Sequence, residues 1–63
     1  MKFIKFYHLF LRLDKIECVE IEPEDFDLII TMSKSVKFIE FDTLEQANKA
    51  FRELIEIIKN IKN

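Results

Sequence analysis

The sequence predicts an α+β domain: an antiparallel β-meander of about four strands followed by one C-terminal amphipathic helix packed on one sheet face. Three observations point there. Aromatic and branched residues fill residues 3–13, apolar and polar residues alternate through residues 16–22 and 26–32, and a marked helix start at Thr43 opens a 3.6-residue apolar repeat. All 63 residues belong to one domain.

Residues 3–13 contain no glycine or proline and are long for a single strand. They read as one long or bent strand with Phe3, Lys5, Tyr7, Leu9, Leu11 and Leu13 on one face and Ile4, Phe6, His8, Phe10 and Arg12 on the other. Both faces are mostly apolar, whereas a strand with one wet face alternates cleanly. Asp14 and Lys15 break the run. A half-buried strand follows over residues 16–22, with Val19 and Ile21 on one side and Glu20 and Glu22 on the other. Pro23, Glu24 and Asp25 make a turn, because proline presets φ at its first central position. The next strand, residues 26–32, puts Phe26, Leu28, Ile30 and Met32 on one face. Ser33, Lys34 and Ser35 then lead into a last strand over residues 36–41.

The chain has no glycine. Any residue with positive φ is therefore expected to be one that tolerates it, such as Asn or Asp, or else the turns avoid that region, and type I turns with slightly longer loops are expected. Thr43 followed by Gln46 makes a capping box, and Asp42 and Glu45 place negative charge at the positive helix end. The helix is expected over residues 44–61. Ala47, Ala50, Phe51, Leu54, Ile55, Ile58 and Ile61 form its buried stripe, widened by Ile57.

Apolar residues make up 49% of the chain and charged residues 35%, a composition that folds. A domain this short nevertheless buries only roughly 60% of the surface its unfolded chain exposes. Small scaffolds supplement such a core with disulfides, metal or a partner subunit. Cys18 is the only cysteine and His8 the only histidine, so neither a disulfide nor a Cys and His zinc site can form within one chain. Oligomerisation remains, and no metal or cofactor is expected. No apolar run reaches the roughly 20 residues that span a bilayer. A signal peptide and membrane contact are not expected, and the cytoplasm is the default compartment.

The net charge of −2 argues against direct nucleic-acid binding. Acids concentrate between positions 14 and 27, where Lys15 is the one base. Glu17, Glu20, Glu22, Glu24, Asp25 and Asp27 form an acidic patch that either keeps a hairpin soluble or imitates a phosphate backbone. Tyr7, His8 and Cys18 have catalytic character, yet a lone histidine and a lone cysteine in apolar strands are more often packed residues, and no oxyanion-hole motif accompanies them. Tyr7, His8 and Arg12 are the expected polar lining if an interface traps a nucleotide-like ligand. The chain has seven phenylalanines, more than one helix stripe can cover. One helix covers one sheet face, so Phe3, Phe6, Phe10, Ile29, Ile39 and Phe41 are the expected partner or oligomer interface.

The stretches LDKIECVE and FDLIITMSKSVKFIEF and the capped TLEQANKAF resemble the short flagellar-operon proteins of the FlbD type. They are similar also to short uncharacterised phage-encoded proteins and, more weakly, to the strand and turn pattern of LytTR-type DNA-binding domains. The first resemblance implies a flagellar-operon accessory protein. The expected function is that of a non-catalytic, homodimeric or higher homo-oligomeric binding or inhibitor protein, phage or mobile-element encoded, that contacts or sequesters a host protein or small ligand. An acidic DNA mimic is the alternative.

Overall fold

The computed structural model describes the backbone of residues 3–62 and the side chains of residues 3–60. Five antiparallel strands form two sheets, and one C-terminal helix packs on the larger sheet. The α+β class and the final helix are those the sequence predicts. The expected long first strand is instead a hairpin of β1 (Phe3–Phe6) and β2 (Leu9–Arg12). Phe6 pairs with Leu9, so the chain reverses over Tyr7 and His8 alone.

This reversal explains why both faces of residues 3–13 looked apolar. A two-residue turn switches the parity of the buried side: Ile4 and Phe6 point inward before it, Leu9 and Leu11 after it. Phe3, Lys5, Phe10 and Arg12 share the outer side. Tight hairpins need positive φ at the first central residue, ordinarily supplied by glycine. Tyr7 supplies it here, with φ of 57°. Its ring meets Phe6 and Phe41 edge-on, with centroids 4.8 and 5.3 Å away, and these contacts offset the roughly 1–2 kcal/mol cost of the left-handed region.

A short 3-10 turn, Leu13–Lys15, leads into the three-stranded sheet, ordered β3 (Ile16–Glu22), β4 (Asp27–Met32) and β5 (Val36–Glu40). Strand β3 carries a bulge. Ile16 pairs with Met32 and Cys18 with Thr31, leaving Glu17 as the extra residue. The bulge turns Ile16 to the same side as Val19 and Ile21, and all three pack against the core. Phe26, expected to open β4, belongs to the preceding turn and has φ of 57°. Its carbonyl accepts from the Phe41 N–H at 3.1 Å, extending the β4–β5 ladder beyond Asp27. Among the described residues the two with positive φ are thus aromatic, unlike the expected Asn or Asp.

Helix α1 (Leu44–Lys62) starts as predicted. Thr43 Oγ1 accepts from the Gln46 N–H at 3.1 Å, and Gln46 Oε1 accepts from the Asp42 N–H, also at 3.1 Å. The reciprocal bond thus reaches one residue further back than in the usual capping box. Ala47, Ala50 and Leu54 are fully buried, and the two small side chains let the helix approach the sheet closely. Ile61 of the expected stripe lies outside the described side chains. The core joins one side of the sheet (Leu28, Ile30, Ile39) to the helix (Ala50, Leu54) and to the inner side of the hairpin (Phe6, Leu11).

Candidate functional site

Strand register decides what the other side of the three-stranded sheet presents. Three cross-strand rows lie there: Cys18, Thr31 and Val36; Glu20, Ile29 and Phe38; and Glu22, Asp27 and Glu40. The helix covers the opposite side, so these rows face solvent. Phe38 is 54% exposed and Val36 49%, and Ile29, opposite Phe38 on β4, is half-buried. The surface is an apolar strip closed at one end by carboxylates.

The expected interface residues divide. Ile29 lies on this open face. Phe3 and Phe10 are exposed on the outer side of the β1–β2 hairpin, a separate surface, and Phe41 is half-buried beside the Tyr7 ring. Phe6 and Ile39 are corrected: both are about 5% exposed and belong to the core, so neither forms part of an exposed interface. The residues missed are Phe38 and Val36. In β5 both parities are apolar, and only the pairing of Leu28 with Ile39 shows which parity turns inward. That information belongs to β4.

The expected ligand lining also divides. Tyr7 and His8 border an open cleft of about 450 Å³ at the hairpin tip, together with Ile39, Glu40, Phe41, Asp42, Gln46 and Lys49. Arg12 is not among them. The two-residue turn puts it at the opposite end of the hairpin, across from Phe3. There its guanidinium donates to both carboxylate oxygens of Asp14, at 3.0 and 3.4 Å, and stands 5.8 Å from the centre of the Phe3 ring. The hydrogen bond from Arg12 holds the Asp14 carboxyl below its ordinary pKa.

The acidic patch is likewise split by the fold. Glu22 and Asp27 are cross-strand neighbours, and Glu40 completes their row from β5, an addition that only the register reveals. Like charges placed directly opposite one another are unfavourable, and Asp27 Oδ1 is buried with no hydrogen-bond partner among the described residues. Glu24 and Asp25 lie in the adjoining turn, where the Glu24 N–H donates to Glu22 Oε1 at 3.1 Å. Glu20 lies one row inward, and Glu17 is at the far end of β3, in the bulge.

Cys18 and His8 are not brought together. Cys18 stands opposite Thr31 on β3, whereas His8 belongs to the hairpin-tip cleft, whose lining does not include Cys18. Desolvation on the strand, with the Glu20 carboxylate beside it, raises the Cys18 pKa. Among the described residues, no cluster of three or more His, Cys, Asp or Glu could hold a metal ion, and no helix is long and apolar enough to cross a membrane. No family model, curated protein or solved structure matches this chain.

Proposed function

We propose that the chain is a non-catalytic binding protein that acts as a homo-oligomer, using the open face of the β3–β4–β5 sheet as its contact surface. The observation that carries this reading is the Ile29, Val36 and Phe38 strip on the face away from the helix. Two sheets stack face to face about 10 Å apart when their facing side chains interdigitate, and a two-fold packing needs only one self-complementary patch. The carboxylates favour one arrangement. Because Glu22, Asp27 and Glu40 occupy one end of the face, an antiparallel pair of sheets separates the two acidic rows, whereas a parallel pair superimposes them.

In this reading the dimer supplies the apolar burial that one short chain lacks. The hairpin surfaces around Phe3 and Phe10 and around the Tyr7 cleft stay outside the dimer contact and serve to hold a host protein or small ligand. Sedimentation equilibrium tests the dimer. The wild-type chain is expected to sediment at twice the protomer mass, and Phe38→Glu at the protomer mass with unchanged helical circular dichroism. A wild-type chain that stays a compact monomer at micromolar concentration contradicts the proposal.

A further inference from the structure

At the end of the sheet away from the acidic row, the β4–β5 turn meets the 3-10 turn. The Ser33 N–H donates to the Lys15 carbonyl at 3.1 Å, and the Met32 N–H to the Ser35 carbonyl at 2.8 Å, so the β4–β5 turn is closed on itself and fixed to the 3-10 turn. Between them lies a depression of about 330 Å³ bordered by Arg12, Lys15, Met32, Ser33, Lys34 and Ser35. Three of those side chains are cations, two carry hydroxyls, and none is a carboxylate. This is an unusual concentration in a chain of net charge −2.

We propose that this depression is a binding site for a phosphate dianion, either free or as the terminal group of a small phosphomonoester. Arg12 is already held in place by Asp14 and the Phe3 ring. Arg–Asp pairing uses the Nε and one Nη2 proton, and the guanidinium keeps further N–H donors for a second anion. Among the described residues, Lys15 and Lys34 form no salt bridge. With Asp14 counted against the three cations, the site carries two net positive charges, which matches a dianion. Ser33 and Ser35 supply neutral donors, the usual complement to cations around phosphate oxygens.

The site belongs to the protomer and does not depend on the dimer reading, so the test uses both the wild-type chain and the Phe38→Glu variant. Amide chemical shifts are followed during titration with inorganic phosphate, with sodium chloride holding ionic strength constant. Saturable shifts are expected at Arg12, Lys15, Ser33, Lys34 and Ser35 in both proteins. Lys15→Ala and Lys34→Ala should each weaken binding roughly 10- to 30-fold, the Coulomb contribution of one charge about 4 Å from a dianion in water, reduced by ionic screening. Arg52→Ala, on the exposed side of the helix and in neither cleft, should leave binding unchanged. Titration with adenosine monophosphate separates the ligand sources: tighter binding through the same amides identifies a phosphomonoester, and weaker binding identifies the free anion. Shifts that do not saturate, or that Lys15→Ala and Lys34→Ala leave unchanged, overturn the proposal.

Discussion

The two faces of the β3–β4–β5 sheet come from the same three strands and differ in what stands against them. Inward rows carry Ile21, Leu28 and Ile39, then Val19 and Ile30, and meet the helix and the hairpin. Outward rows also carry apolar side chains, at Ile29, Val36 and Phe38, but meet solvent. Neighbouring residues of one type, Ile29 and Ile30, therefore have opposite fates. An apolar side chain becomes core only when another element covers it, and the one helix among the described residues leaves one face of the sheet uncovered.

Substitutions at adjacent positions can break this contrast. Ile30→Ala, at a fully buried position, is expected to cost roughly 2–5 kcal/mol in urea unfolding. That is comparable with the whole stability of a small domain, at about 0.05–0.15 kcal/mol per residue. Ile29→Ala, measured in the Phe38→Glu background, should cost less than about 1 kcal/mol. Equal losses at the two positions would show that the outward face is covered within the protomer. Thr43→Ala removes the oxygen that accepts from the Gln46 N–H and should cost about 1 kcal/mol by the same measurement, with no change in self-association.

Asp14 is expected to give the smallest effect, since it lies on neither face. Its carboxyl is held below the ordinary value of 3.8 by Arg12. The stabilisation is therefore fully present above about pH 4 and is lost as pH falls through the lower folded pKa. Asp14→Asn should flatten this part of the acid limb of a stability–pH curve and leave the curve above pH 5 parallel to wild type. A change in slope at neutral pH would place the responsible group elsewhere.

Much of the fold was legible in the sequence because some signals are local. Thr43 and Gln46 marked the helix start within the span of their own hydrogen bonds. Pro23 marked a turn, and the alternation from Val19 to Glu22 marked a strand. Other features depend on changes of parity. The turn at Tyr7 and His8 and the bulge at Glu17 each shift the inward side by one residue, and neither carries the glycine that ordinarily announces such a place. A signal was nevertheless present: the apolar parity changes between Phe6 and Leu9 and again between Ile16 and Val19. The open face was legible as a need, since one helix cannot cover both sides of a sheet. Its membership was not, because Val36 and Phe38 can be separated from Ile39 and Phe41 only through their register with β4.

The central claim, that the outward face is where two copies meet, is tested most directly by isotope-filtered nuclear Overhauser measurements on an equal mixture of labelled and unlabelled chains. Intermolecular contacts are expected among the Phe38 ring, the Val36 methyls and the Ile29 methyls, with none from the buried Ile30 or Leu54. An absence of intermolecular contacts at Phe38 and Val36, or contacts arising only from Phe3 and Phe10, would contradict it.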